Sequence, residues 1–153
     1  MPNDRKEIDD TNRQILSELQ EDGRLTVAEL GRRVGLSSPA VAERLQRLER
    51  DGVIAGYRAD IDPRALGLSL TVVIRIRPAP GQIANVAELA KATREVVECR
   101  RITGEDCYIA TAHVRDVEHL EQVIDRFAIY GQTTSSILQS APVAGRGISL
   151  PAG

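Results

Sequence analysis

Residues 25–52, LTVAELGRRVGLSSPAVAERLQRLERDG, constrain this chain more than any other stretch. They read as two short helices joined by the turn Gly35-Leu36-Ser37. Thr26 and Glu29 stand at capping-box spacing, which satisfies two orphan amides reciprocally at a helix start. Leu25 and Leu30 flank that cap at the staple positions. Val27, Leu30 and Val34 follow helical spacing and face a core. Gly35 offers the left-handed conformation that ends a helix. Ser37 or Ser38 caps the next one, with Pro39 in its first turn, where no amide is lost. Val41, Leu45 and Leu48 form a buried stripe. Glu43, Arg47 and Arg50 fall on the other side, with Arg44 on the flank, and Gly52 closes the helix. A hairpin with a merely solvated charged face is the plainer alternative. The paired caps and the glycine-containing tight turn favour a helix-turn-helix, and hence DNA binding rather than catalysis.

The overall charge is less telling than its distribution. The 153 residues carry a net charge of −2, which does not announce a nucleic-acid binder. Between Arg24 and Arg50, however, six arginines face three glutamates, a local net of +3. Residues 1–23 are acidic and offset it. DNA binding is therefore expected to be local in its electrostatics and to be helped by dimerisation.

Other function classes find little support. The 42% apolar content suits a folded protein. No apolar run approaches a membrane span, and the polar, acidic start MPNDRKEIDD does not read as a secretory signal, so no membrane partner and a cytoplasmic location are expected. Cys99 and Cys107 form no C-x-x-C pair, and His113 and His119 lack metal-ligand spacing. Two reduced, partly buried thiols are the expectation. No phosphate loop, nucleophile elbow or paired catalytic motif appears, so no enzyme, cofactor or metal is expected.

Along the chain, a first helix over about 10–21 has Asp9, Asp10 or Thr11 as its cap, Ile15, Leu16 and Leu19 as its core face, and Gly23 as its stop. Three helices around one small core make a minimal DNA-binding domain, residues 1–53, marginal on its own. Residues 54–66 are a β-rich linker. The run VIAGYRADI from Val53 reads as a short wing or a connecting strand, and Asp62-Pro63 and Gly67 mark a turn. Residues 67–142 alternate: strand 68–76, helix 83–93, strand 96–102, strand 107–114, a helix capped by Asp116, and strand 133–139. That β-α-β-β-α-β order is the ferredoxin-like arrangement. The fold class expected is thus α+β: a (winged) helix-turn-helix domain followed by a ferredoxin-like domain. Residues 143–153 form a Pro/Gly-rich tail, either mobile or laid across a partner.

Asp22-Gly23-Arg24, Gly35-Leu36-Ser37, Arg47-Leu48-Glu49, Ile54-Ala55-Gly56-Tyr57, and Gly104 with Tyr108 together resemble the Lrp/AsnC family of leucine-responsive, feast/famine transcriptional regulators. The resemblance covers nearly the whole chain. It implies a DNA-binding regulator of amino-acid metabolism, dimerised through the sheets of the ferredoxin-like domain. Those dimers assemble further, to an octamer by expectation, and an amino-acid effector binds between dimers. By analogy with helix-turn-helix docking, the DNA contacts expected are Ser37 and Ser38 to phosphate, Arg47 to bases with Glu43 nearby, and Arg44 and Arg50 as weaker candidates.

An amino acid needs acceptors for its ammonium and donors for its carboxylate, because unpaired polar groups are costly in a pocket. Two segments supply them, at the place where the resemblance puts the ligand. One is the loop with Gly104, Asp106, Cys107 and Tyr108. The other holds Gly131, Gln132, Thr133, Thr134 and Ser136. The alternative for Gly131–Thr134 is an ordinary helix-to-strand turn. The family's usual G-D-x-D-Y loop reads Gly104-Glu105-Asp106-Cys107-Tyr108 here. Cys107 in place of an acid favours a neutral effector over a basic one. Two other readings are a ligand-independent architectural DNA-binding protein and, less favoured, an enzyme's regulatory subunit.

Overall fold

The computed structural model describes residues 8–151; residues 1–7 of the expected first domain and 152–153 of the expected tail lie outside the described residues. The chain divides into two compact units. The first contains three helices: α1 (Asp10–Glu21), α2 (Val27–Val34) and α3 (Ser38–Arg50). Asp9 caps α1 by accepting from the Asn12 amide at 2.7 Å. Ser37, rather than Ser38, caps α3. Thr26 accepts from the Glu29 amide at 3.1 Å. The return half of that expected capping box is missing. The Glu29 carboxylate turns to Arg32 and Arg33 instead, since charge-assisted pairs outcompete a neutral amide. Ile15, Leu16, Leu30, Val41 and Leu48 form the buried core.

The turn between α2 and α3 depends on two glycines. Gly35 adopts φ 71° as the cap of α2. Gly31, one turn earlier, lies against the backbone beyond the turn. A Cβ built there would stand 2.6 Å from the Leu36 carbonyl oxygen. The Leu36 amide donates to the Gly31 carbonyl at 2.9 Å, which closes the turn.

Residues 53–61 form no strand, contrary to the expected wing or connecting strand. β-branched composition there finds no neighbouring ladder, and a strand without a partner leaves its amides to solvent. Tyr57 donates to the Glu49 carboxylate at 3.0 Å. The Asp62-Pro63 turn is a short 3-10 helix, Pro63–Leu66, capped by Asp62.

The second unit is a four-stranded antiparallel sheet with two helices. Its elements are β1 (Leu70–Pro78), α4 (Ile83–Ala92), β2 (Val96–Arg101), β3 (Tyr108–Val114), α5 (Val117–Ala128) and β4 (Gly131–Ile137). The strand order β2-β3-β1-β4 is that of the ferredoxin-like fold. Val72, Ile74 and Ile76 of β1 alternate inward with Tyr108, Ala112 and Val114 of β3. They pack on Val86 and Ala90 of α4 and on Leu120, Val123 and Phe127 of α5. The opposite face of the sheet carries no helix. Register places Thr71, Val73, Arg75 and Arg77 on it, across from His113, Thr111 and Ile109 on one side and Ser136, Thr134 and Gln132 on the other.

A buried polar joint ties β2 to α5. The Arg115 amide donates to His119 Nδ1 at 3.3 Å, so the ring proton sits on Nε2 and is given to Glu95 at 2.9 Å. Arg126 reaches the same carboxylate at 3.3–3.4 Å. The His119 hydrogen bond is the main force that holds the Glu95 carboxyl down at about 2, with Arg126 assisting.

Candidate DNA-reading face and effector loops

Helix α3 presents one face to solvent. At about 100° per residue, Pro39, Glu43, Gln46 and Arg50 fall within about 60° of one another, opposite buried Val41 and Leu48. All four are exposed. Arg47 lies at the edge of this face, where its guanidinium donates to Glu43 at 3.1 Å. Ser38 is exposed at the start of the helix. The Ser37 hydroxyl accepts from the Ala40 amide at 3.4 Å as the cap, which orients the first-turn amides of α3 outward.

Arg44 has a different environment. It donates to Asp9 at 2.7 Å and to Asn12 at 3.0 Å, across the start of α1. The Arg44 hydrogen bond is the largest of the influences that lower the Asp9 carboxyl. Arg44 is therefore a strut between α3 and α1. Gln46 carries no charge, so an arginine-centred sequence pattern does not single it out. Its helical angle, midway across the exposed face, was the available signal.

The second candidate site lies on the open side of the sheet. The loop before β3 turns at Gly104, φ 104°. Its Asp106 carboxylate lies 3.7 Å from Arg75 and 3.8 Å from Arg77. Arg77 also pairs with Glu105. Arg75 stands opposite Thr134, and Arg77 opposite Gln132. Ser136 lies one pair further along β4, opposite Val73; the structure thus gathers Asp106, Gln132 and Thr134 around two arginines absent from the sequence-based candidates. Their signal was the I-R-I-R alternation at 74–77, which puts both on the face opposite Ile74 and Ile76.

Other expected effector residues point elsewhere. The Tyr108 hydroxyl donates to the Ile83 carbonyl at 3.2 Å and its ring is buried, so it anchors α4 to β3. Cys107 packs against the same core, and its carbonyl accepts from the Ile102 amide. Thr133 shares the helix side with Ile76. Gly131 starts β4 so close to β1 that a Cβ would meet the Arg77 carbonyl oxygen at 2.2 Å. Beside it, Arg77, Pro78, Ile129, Gly131 and Gln132 line an open cleft of about 490 Å³. Among the described residues no cluster of His, Cys, Asp and Glu is arranged to hold a metal, and no helix is long and apolar enough to cross a membrane.

Both halves of the chain match known domains. Residues 8–49 match the AsnC-type helix-turn-helix domain, and residues 71–148 the Lrp/AsnC ligand binding domain. The chain belongs to the Lrp/AsnC family. Among its Lrp/AsnC relatives, the HTH-type transcriptional regulator YezC of Bacillus subtilis is 41% identical over 134 residues, covering 88% of this chain and 95% of its own. The leucine-responsive regulatory protein of Escherichia coli K12 is 37% identical over 122 residues, 78% of this chain and 74% of its own. A feast or famine regulatory protein from M. tuberculosis, solved in complex with L-methionine, superimposes with a TM-score of 0.86 at 34% identity, over 93% of this chain and 99% of that one. As a member of this family the chain is an α+β transcriptional regulator with a DNA-binding helix-turn-helix domain and a ligand-binding domain.

Proposed function

We propose that this regulator reads a pseudo-palindromic DNA site through α3 and adjusts its binding in response to a neutral amino acid held between dimers, at the Gly104–Asp106 end of the sheet's open side. The observation that carries the effector reading is the Asp106 carboxylate, 3.7 Å from Arg75 and 3.8 Å from Arg77, with Thr134 paired to Arg75 from the other neighbouring strand. A zwitterion needs an anionic acceptor and cationic or hydroxyl donors a few ångströms apart, and this cluster offers both. The ammonium goes to Asp106 and the loop carbonyls near Gly104; the carboxylate goes to Arg75 or Arg77, Thr134 and Ser136. Gln132 and the adjoining cleft take the side chain, while Cys107, Tyr108, Gly131 and Thr133 hold the walls in place. The M. tuberculosis relative and a Neisseria meningitidis transcriptional regulator were both solved with L-methionine, which supports a neutral ligand.

The open sheet face, with Val73, Ile109 and Thr111, packs against the same face of a second copy in a C2 dimer. Two α3 helices then serve two half-sites, and dimers assemble further to an octamer. On the DNA, Ser37 and Ser38 with the first amides of α3 meet phosphate, while Glu43, Arg47 and Arg50 face base edges.

Isothermal titration of the twenty amino acids, paired with fluorescence anisotropy on operator DNA, tests the reading. At least one neutral amino acid should bind at or below millimolar concentration and shift DNA affinity. Asp106→Ala and Thr134→Ala should each weaken that response while leaving ligand-free DNA binding intact. No binding by any amino acid at millimolar concentration would overturn the effector role and leave a ligand-independent architectural protein.

A further inference from the structure

We propose that residues 147–151 are a fourth element of the helix-turn-helix unit, a backbone clasp that closes over α1. The side-chain amide of Gln20 grips Ile148 from both sides of its backbone. Its Nε2 donates to the Ile148 carbonyl at 3.0 Å, and its Oε1 accepts from the Ile148 amide at 2.5 Å. One amide side chain thereby supplies the two hydrogen bonds that a neighbouring strand residue would give. Two turns earlier on the same stripe of α1, Arg13 donates through Nε to the Pro151 carbonyl at 3.0 Å. Between those two anchors Leu150 packs onto the core formed by Ile15, Leu16, Leu30, Val41 and Leu48. Gly147 lies directly beneath Gln20. A Cβ there would stand 2.8 Å from Gln20 Oε1 and 3.1 Å from its Cβ.

Polar anchors at both ends and an apolar plug in the middle are what hold a short extended segment to a helix. Each polar contact satisfies a main-chain group that would otherwise need water. A Cβ at Gly147 would have to displace the Gln20 amide. The consequence is topological. The helix-turn-helix unit is tied to the rest of the chain at both ends, through residues 51–69 and again through residues 138–146 after β4. A three-helix core too small to be robust alone gains a fourth side.

Hydrogen exchange on the full chain, without ligand or DNA, tests the clasp. Gln20→Ala and Gly147→Ala should each speed amide exchange across α1 by about fivefold or more while leaving β1–β4 unchanged. Gln20→Glu, which keeps the acceptor and loses the donor, should fall between. Exchange in α1 within twofold of the parent for both alanine variants would overturn the clasp. A second measurement fixes which chain supplies it. In Gln20→Cys/Gly147→Cys the two Cβ positions lie near the about 3.5–4.5 Å of a disulfide. Oxidation should give a 20–147 link, identified by peptide mass, in the single-chain band of a denaturing gel. That link at twice the chain mass, or no link, would overturn the intrachain assignment.

Discussion

Gly31 sets two opposing effects against each other. Replacing a mid-helix glycine with alanine ordinarily gains about 1 kcal/mol of helix propensity. Here the new methyl would stand 2.6 Å from the Leu36 carbonyl oxygen, a backbone atom held by the turn itself. Overpacking of that kind typically costs about 1–3 kcal/mol, so the clash wins. Gly31→Ala is expected to lower the melting temperature of the helix-turn-helix unit by several degrees and to weaken DNA binding with it. Equal or higher stability by calorimetry would mean the turn yields easily. Glu95 gives a residue-scale prediction in pH. Its folded value of about 2 lies below the ordinary 4.5, so its stabilisation is complete above pH 4.5 and drains away as pH falls toward 2. The amount is on the order of 2 kcal/mol. Glu95→Gln should flatten that acid limb in denaturant titrations between about pH 5 and about pH 2. A variant whose acid limb matches the parent would show that other carboxylates dominate.

At the scale of elements, α3 divides its arginines by task. Arg44 faces Asp9 and Asn12 on α1, whereas Glu43, Gln46, Arg47 and Arg50 face out. Arg44→Ala should therefore cost stability, and its loss of DNA affinity should be the same on operator and random DNA. Arg47→Ala and Gln46→Ala should lower the ratio of specific to random affinity, each by about 1–3 kcal/mol if the side chain reads a base bidentately. Competition anisotropy separates the cases. An unchanged specificity ratio for Arg47→Ala would reduce it to a phosphate contact. The division was only half legible in the sequence. Heptad-like spacing set Val41 and Leu48 inward, but Arg44 lies on the boundary of that stripe. Which way a boundary side chain turns depends on whether a carboxylate waits on the next helix, and Asp9 is thirty-five residues away.

On the scale of the whole molecule, the prediction is the dimer. The helix-free sheet face holds Val73, Ile109 and Thr111 at partial exposure, ringed by arginines, His113 and β4 hydroxyls. Val73→Asp would bring two like charges close together across a C2 axis and bury them. It should turn a micromolar dimer into a monomer by light scattering, with circular dichroism unchanged. A parent protein that is already monomeric at that concentration would refute the shared face.

The amino-acid order by itself determined the local grammar: the caps at Thr26 and Asp116, a cap for α1 within residues 9–11 and one for α3 at 37 or 38, the left-handed Gly35, and the alternation that sends Ile74 and Ile76 inward. These depend on neighbours within about four residues, so a linear pattern carries them. It likewise determined the ferredoxin-like order, because six elements in that sequence have few ways to pair. Tertiary structure alone decided the rest. Residues 53–61 have strand-forming composition and no strand, since a ladder needs a partner that composition cannot supply. Tyr108, Cys107 and Thr133 turn to the helix layer, while Arg75 and Arg77 arrive beside Asp106, because register across three strands sets which side chains meet. Residues 147–151 look like any Pro/Gly-rich end, yet they are held by Arg13 and Gln20 more than a hundred residues earlier. Side-chain amides and guanidinium groups on a helix reveal nothing of what they will bind until the fold brings a free backbone group within reach.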